Sequence, residues 1–221
     1  MNRPRPRPAR PAPPPAVERP PVAAADAIAD TRAWLERAVI GLNLCPFAKA
    51  VHARGQVHYA TTDARDDGGI LDALAEELRA LVARDPAERD TTLLVATAAL
   101  HDFLDFTALL RRADALLAGM GLEGTVQVAS FHPDFQFAGS DADDIANATN
   151  RAPHPTLHLL REASIDRAVA AYPEADAIFG RNIERLRALG PEGWRALDVG
   201  AGCGRSAAPE AAEPAGGAVA A

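Results

Sequence analysis

The sequence predicts an α/β fold, a compact single domain in which three parallel strands are joined by crossover helices, with a possible fourth strand and disordered tails at both ends. Two observations predict it. Short apolar segments alternate with longer ones in which apolar residues recur every three or four positions, as in strands alternating with amphipathic helices. The chain has 221 residues, 48% of them hydrophobic, which is enough for one full core.

The two ends of the chain differ from its middle in composition. Residues 1–25 hold nine prolines and five arginines without an apolar run, and residues 199–221 are mainly Ala, Gly, Pro and Glu. Such segments bury too little apolar surface to offset the entropy lost on ordering. We therefore predict a disordered Pro/Arg-rich arm over residues 1–25, a folded domain over 26–198 and a disordered tail over 199–221.

The first part of the domain alternates between helix and strand. Helical spacing predicts a helix over residues 26–40 that ends at Gly41, followed by a short segment, 43–50. The elements that follow are predicted in a strict alternation: a strand over 56–62, a helix over 68–83, a strand over 91–97, a helix over 102–118 and a strand over 125–130.

The later part of the domain is less regular. Residues 156–161 fit a fourth strand or a helix, Ser164 suits the cap of a helix that reaches Ala171, and a last helix over 174–189 ends at Gly190-Pro191. Strands separated by helices imply a parallel sheet with right-handed crossovers, so the three strands end on one edge. The loop over 133–155 begins at that edge, and loops this long are usually binding elements or lids.

Charge and targeting signals exclude several classes of protein. The arm carries a net charge of +4 and the tail a net charge of −1, so the total of −7 leaves −10 on residues 26–198. Such an acidic domain repels phosphate backbones, so we expect no nucleic-acid partner. No apolar stretch approaches about 18 residues and no secretory signal is visible, so we expect no membrane partner. Two cysteines, Cys45 and Cys203, form no disulfide framework, which favours a cytoplasmic protein.

Cys45 and Lys49 form the first candidate constellation. Pro46 suits the first position of a helix, which would make Cys45 the N-cap and expose its thiol to free backbone N–H groups that lower its pKa. Lys49, the only lysine in the chain, would add positive charge one turn later. The alternative is a buried structural cysteine beside a surface lysine.

His132 is the second candidate. It follows the predicted third strand, where open α/β sheets place their chemistry, and Asp134 is close in sequence. An imidazole oriented by a carboxylate can act as a general acid or base. The alternative is a histidine that satisfies a loop carbonyl.

The third candidate is the segment from Asn150 to Arg161. Its prolines hold it extended, so its side chains are displayed. Arg151 can grip a carboxylate or phosphate, and Asn150, Thr156, His158 and Arg161 can complete an anion site. No acidic residue lies between Asp144 and Glu162, so a locally positive region stands in an acidic domain.

Metal binding has weaker support. Cys45, His132, His154 and His158 are residue types that suit zinc or iron, but no close ligand spacing is present, so we predict no metal.

Four segments of the chain form a distinctive set: Gly-Leu-Asn-Leu-Cys-Pro-Phe-Ala-Lys (41–49), Ala-Ser-Phe-His-Pro-Asp-Phe-Gln-Phe-Ala-Gly (129–139), residues 149–164 and Gly-Trp-Arg-Ala-Leu (193–197). Through these segments the chain resembles a bacterial family known only as domain of unknown function 1415. The resemblance covers about residues 27–197. The usual pattern of the family has an aromatic residue where His154 stands in this chain. The resemblance implies domain boundaries but no reaction.

The sequence leaves two classes of function open. The first is a cytoplasmic enzyme acting on a small anionic metabolite, with Lys49, Arg151 and Arg161 holding the anion, His132 as acid or base and Cys45 as nucleophile or wall. The second is a non-catalytic module that binds a small ligand or a metal. The reaction, any cofactor and the oligomeric state are not specified by the sequence.

Overall fold

Residues 20–172 and 174–202 are described by the computed structural model. Within them, four strands form one sheet: β1 (Val57–Thr62), β2 (Thr91–Ala96), β3 (Val126–Phe131) and β4 (Thr156–Arg161). Six helices accompany it: α1 (Ala24–Trp34), α2 (Ala48–Ala53), α3 (Asp67–Ala83), α4 (Phe103–Gly119), α5 (Glu162–Ala170) and α6 (Ile178–Ala196). Short 3₁₀ segments occupy Ile145–Asn150 and Ala175–Ala177.

The sheet is mixed, with strand order β1-β2-β4-β3. The α/β class and the fourth strand are confirmed, but the prediction of three parallel strands is wrong in detail. β1 and β2 pair in parallel, and β4 lies between β2 and β3 and is antiparallel to both. The connection from β3 to β4 contains a 3₁₀ segment but no long crossover helix, so the chain returns in the opposite direction. The ends of β1, β2 and β3 still share one edge.

One face of the sheet is covered by α3 and α4. Both helices begin at a carboxylate cap: Asp66 accepts a hydrogen bond from the Gly69 N–H at 2.9 Å, and Asp102 accepts one from the Leu104 N–H at 2.7 Å. Their apolar stripes pack on alternate residues of the strands and form the larger core, which includes Ile70, Leu74, Leu78, Phe106, Leu109, Val126, Leu157 and Leu159.

The other face is covered less completely by α1, α2 and α5. A smaller cluster there centres on Trp34 and includes Ala152 and Val199. The cover is uneven because α2 has only six residues and α5 has no fully buried residue.

The last turns of the first helix are π-helical, over Leu35–Ile40. The N–H of Gly41 donates to the carbonyl of Glu36 at 2.9 Å, five residues earlier. Gly41 has φ −60°, so it is not a left-handed C′ residue as the sequence suggested. A Cβ at this position would lie 2.2 Å from the Arg37 carbonyl oxygen, so the close approach of the backbone requires glycine.

The folded region extends slightly beyond the predicted boundaries. The N–H of Val22 donates to the Thr97 carbonyl at 3.0 Å, Val199 is buried, and the N–H of Gly202 donates to Asp30 at 2.6 Å. The disorder predicted for residues 1–19 and 203–221, and Cys203 with it, lies outside the described residues.

Helix α6 continues past the predicted stop. Gly190 breaks it with φ 70° and ψ 172°, and a further helical segment follows Pro191. No helix in the described part of the chain is long and apolar enough to span a bilayer.

Candidate functional site

A cavity of about 640 Å³ lies between the second face of the sheet and the helices α1, α2 and α5. It exists because the short α2 and the small residues of α5 leave the middle of that face uncovered. Its volume falls within the range of small-molecule sites, roughly 300–1,000 Å³.

The floor of the cavity comes from alternate residues of the four strands, because side chains of a strand point to opposite faces in turn. These residues are Val57, Thr91, Leu93, Gln127, Ala129, Phe131, His158 and Leu160. The roof comes from Trp34, Leu35 and Val39 of the first helix and its π-helical extension, from the segment Cys45 to Val51 other than Lys49, and from Ile165 and Ala168 of α5. Most of these side chains are apolar, so the cavity favours an apolar guest.

Two ring contacts define the shape of the cavity. Trp34 meets Phe131 edge to face, with ring centroids 5.1 Å apart. Phe47, just before α2, meets Tyr172, just after α5, with centroids 5.8 Å apart. These contacts join the roof to the floor at one place and α2 to α5 at another.

The mouth of the cavity is marked by lining residues that are solvent-exposed. They include Arg54 at the end of α2, Gln127 of β3 and Arg167 of α5. Asp90 also lines the cavity, and its carboxylate accepts a hydrogen bond from Ser164 at 2.6 Å. With two guanidinium groups against one carboxylate, the mouth carries a net positive charge.

His158 is the titratable side chain in the middle of the floor. Its Nε2 lies 2.7 Å from the hydroxyl oxygen of Thr91, and that hydroxyl donates its proton to the Leu159 carbonyl at 2.6 Å. Burial lowers the pKa of His158 from 6.5 to about 4, because the charged ring would lose its hydration. The ring is therefore neutral at pH 7.

Cys45 lines the cavity from the loop before α2. Asn182 of α6 holds this loop by donating to the Leu44 carbonyl at 2.8 Å, and Arg185 donates to the Asn43 carbonyl at 3.1 Å. Burial raises the pKa of the Cys45 thiol, and hydrogen bonds from the backbone N–H groups of Phe47 and Ala48 lower it by less. The prediction of a lowered pKa is wrong, because desolvation exceeds the effect of the N–H groups.

His132 lies away from the cavity, fully buried against α4 on the opposite face of the sheet. Its Nε2 lies 2.9 Å from the Leu100 carbonyl, and its Nδ1 accepts the Asp134 backbone N–H at 3.0 Å. Both nitrogens are thus used within the fold. Asp134 contributes its backbone to this contact, and its side chain is exposed.

Asn150, Arg151 and Thr156 stabilise the loop that follows β3. The Asn150 carbonyl accepts the His132 N–H at 3.2 Å. The Arg151 guanidinium donates to the carbonyls of Phe135 at 3.1 Å and Ala142 at 2.7 Å. The Thr156 hydroxyl donates to the His154 carbonyl at 2.8 Å. None of the three is among the residues that line the cavity.

Lys49 and Arg161 are also not placed as the predicted anion site requires. Lys49 is exposed on α2 and is not a lining residue. Arg161 is a lining residue, but its guanidinium donates to backbone carbonyls at the end of α3 and beyond it, with distances of 2.8 Å to Arg84 and 3.2 Å to Arg89. It also donates to the Leu81 carbonyl. Its charge is therefore directed at a helix C-terminus.

A buried contact between a histidine and an aspartate stands apart from the cavity. His154 Nε2 lies 2.9 Å from Asp30 Oδ2, and both side chains are almost completely buried. The same carboxylate oxygen accepts the Gly202 N–H. Across the described residues, no group of three or more His, Cys, Asp or Glu side chains is arranged to hold a metal ion.

The structure thus brings Cys45, His158 and Arg161 to one cavity and places the other predicted residues elsewhere. Sequence reasoning missed Thr91 because a threonine in a buried strand looks like ordinary strand material. It missed Trp34 because a tryptophan on an apolar helical stripe looks like core. Arg54 lies between Glu36 and Asp63, a stretch without acidic residues, and that absence was a usable signal.

Comparison with known proteins gives one match. A family model described as "Protein of unknown function (DUF1415)" covers residues 26–196. No curated protein and no solved structure matches the chain.

Proposed function

We propose that this chain, which belongs to the DUF1415 family of proteins of unknown function, binds a small amphipathic anion in the cavity between the sheet and α1, α2 and α5. The observation that carries the proposal is the combination of an apolar interior of about 640 Å³ with two arginines at its mouth.

The interior supplies most of the expected affinity. Each apolar ligand atom placed against Trp34, Leu93 or Ile165 leaves water, and burial of apolar surface contributes roughly 25 cal/mol per Å². A rigid ring system fits better than a flexible chain because it loses less conformational freedom on binding.

The mouth supplies the preference for charge. Arg54 donates its Nε–H to the Gln56 side chain at 2.7 Å, and one nitrogen of Arg167 donates to Ser164 at 2.9 Å. Each guanidinium keeps further donors for a carboxylate or sulfonate oxygen. Because both arginines are exposed, we expect a modest preference for an anion over a neutral analogue.

Two related dyes test the proposal. Anilinonaphthalene sulfonate is anionic, and N-phenylnaphthylamine has the same rings without the sulfonate. Fluorescence titration of the folded protein should show both dyes binding, with the anion about fivefold tighter. Replacing Ala168 with Trp should fill the cavity from α5 and weaken both dyes by about tenfold.

The charge preference has its own matched control. The double variant Arg54→Gln, Arg167→Gln should bind both dyes equally, whereas Arg111→Gln on α4, an exposed arginine on the other face of the sheet, should behave as wild type. Dye binding that survives Ala168→Trp unchanged would remove the proposal, because the dye would then occupy another surface.

An enzyme acting on the bound anion is the second candidate. The presence of a thiol and a neutral imidazole, Cys45 and His158, on the walls of one cavity favours it. Alkylation of Cys45 faster than that of a free thiol near neutral pH would support this candidate. Slow alkylation would leave His158 as the remaining reactive group.

A further inference from the structure

We propose that His158 selects ligands that carry a hydrogen-bond donor, a hydroxyl or an N–H, on the part that enters the cavity. This inference rests on the proposed binding of an amphipathic anion, and it narrows the ligand to hydroxylated or N–H-bearing aromatic and alicyclic acids.

The tautomer of His158 follows from the bonds of Thr91. A threonine hydroxyl has one proton, and that of Thr91 is donated to the Leu159 carbonyl at 2.6 Å. The contact of 2.7 Å between the same oxygen and His158 Nε2 therefore needs the proton of the ring. A neutral imidazole carries one N–H, so Nδ1 must hold a lone pair.

That lone pair is available to a ligand. Nδ1 accepts no hydrogen bond from any residue that the structure describes, and it is not one of the enclosed atoms that lack a partner. The ring lines the cavity, and because Nε2 is bonded to Thr91, Nδ1 is the ring nitrogen left for a guest. An acceptor set among apolar walls favours a guest that supplies a donor and disfavours one that covers it with hydrocarbon.

The strand register relates His158 to the mouth of the cavity. His158 pairs with Ala129 of β3, and Leu160 pairs with Gln127, which lies at the mouth. Two residues along a strand span roughly 7 Å. We therefore choose para-hydroxyphenylpropionate, whose donor and carboxylate are separated by one ring and a short chain, as a probe that can reach from His158 towards the mouth.

Comparison with an analogue that lacks the hydroxyl tests the inference, because the inference decides which of the two acids binds more tightly. In an apolar cavity without an acceptor, phenylpropionate binds more tightly than para-hydroxyphenylpropionate because it is more hydrophobic. With Nδ1 as an acceptor, the hydroxylated acid should displace the anionic dye at about five- to tenfold lower concentration. Tighter binding of phenylpropionate to the wild type would overturn the inference.

Variants separate the ring from its positioning residue. In His158→Leu the preference should reverse in favour of phenylpropionate. Thr91→Val removes the acceptor of the Nε2 proton and should reduce the preference, whereas Thr91→Ser keeps a hydroxyl and should retain it. An equal preference in Thr91→Val and wild type would contradict the role assigned to Thr91.

The tautomer can be read without any ligand. In ¹⁵N NMR of the free protein, Nδ1 of His158 should resonate as an unprotonated ring nitrogen and Nε2 as a protonated one. A protonated Nδ1 would overturn the inference while leaving the dye results intact. Failure of both dyes to bind would instead remove the proposed function, so the two failures are distinguishable.

Discussion

The imidazole of His132 uses both of its nitrogens within the fold, whereas that of His158 bonds Thr91 through one nitrogen and lines the cavity. At the scale of single residues, these two histidines occupy opposite faces of the sheet. The ring of His132 lies between those of Phe103 and Phe106, with centroids 5.3 and 5.2 Å away. Its hydrogen bonds stabilise Leu100, a residue with φ 62°, and the start of the long loop.

His132→Ala should therefore reduce stability. Truncation leaves a cavity and removes hydrogen bonds to the Leu100 carbonyl and the Asp134 N–H, so we expect a loss of about 2–5 kcal/mol in the free energy of unfolding. Urea denaturation measures it. His52→Ala, a half-buried histidine beside Glu36, should cost much less.

Dye binding gives His132→Ala a second readout. Under conditions in which the variant is folded, the dyes should bind as in wild type, because the ring lies on the face opposite the cavity. Unchanged stability together with lost binding would contradict the assignment of His132 to the fold.

Cys45 should react slowly with iodoacetamide. Burial raises the pKa of its thiol, so the thiolate fraction near pH 8 is smaller than that of a free thiol. Mass spectrometry of a Cys203→Ser variant, in which Cys45 is the remaining cysteine, measures the rate. Labelling should accelerate in denaturant, and native labelling faster than that of glutathione would refute the raised pKa.

At the scale of elements, the π-helical turn over Leu35–Ile40 is the unusual feature. Such turns are rare and occur frequently at functional sites. This one carries two lining residues, Leu35 and Val39, and leads directly into the loop of Cys45. The extra residue in the turn shifts the register of the helix, and Trp34 before the turn and Val39 within it both line the cavity.

Gly41→Ala should disturb this turn. Its new Cβ would meet the Arg37 carbonyl oxygen, which is backbone and has little freedom to move. We expect a loss of roughly 1–3 kcal/mol in stability, together with altered dye affinity.

Gly119→Ala is the matched control for this substitution. Gly119 lies near the end of α4 with open space around the position of a Cβ, so the change should be neutral or stabilising by up to about 1 kcal/mol. Equal effects of the two substitutions on stability would show that the close approach at Gly41 is not what matters.

At the scale of the whole molecule, the two faces of the sheet are filled unequally. α3 and α4, each of seventeen residues, cover one face with a continuous core. The other face is covered by shorter segments and retains the cavity. Stability is therefore concentrated on one face, while the other keeps His158, a side chain that is costly to ionise.

The burial of His158 makes the stability of the protein depend on pH. The pKa of His158 lies at about 4 in the folded protein, below its ordinary value of 6.5. Between these values the unfolded chain binds the proton more readily, so the stabilisation present above pH 6.5 is lost as the pH falls towards 4. The displacement corresponds to at most roughly 3 kcal/mol.

Denaturation curves of His158→Leu across this pH range measure that contribution. The variant should lose less stability between pH 6.5 and 4 than the wild type. His58→Leu, whose side chain is 45% exposed, should change the slope less. Parallel curves for His158→Leu and wild type would show that the ring is hydrated in the folded state.

The long elements were predictable from sequence because their patterns are local. The apolar stripes of α3 and α4 and the buried segment of β2 give the periods of helix and strand directly. The direction of β4 was not predictable in the same way, because pairing depends on residues far apart in the chain. The sequence between β3 and β4 contains no long crossover helix, and this absence could have indicated that β4 runs antiparallel to β3.

The site was less predictable than the fold. His132, Asn150 and Arg151 attracted attention because they are unusual in this composition, but the same properties suit a loop that must satisfy its own backbone. His158 was identified, whereas its partner Thr91 was not, because their contact joins β2 to β4. The cavity arises because the helices leave part of the sheet uncovered. No local sequence pattern indicates such incomplete cover.

The central place of β4 sets a lower limit on the length of chain that can make this sheet. Among the strands that the structure describes, β3 has no neighbour in the sheet other than β4, which leaves the ribosome about thirty residues later. A nascent polypeptide that stops before Thr156 therefore holds β3 as an unpaired ribbon and β2 as an open edge. Ribosome-bound intermediates ending there should be the ones that recruit chaperones.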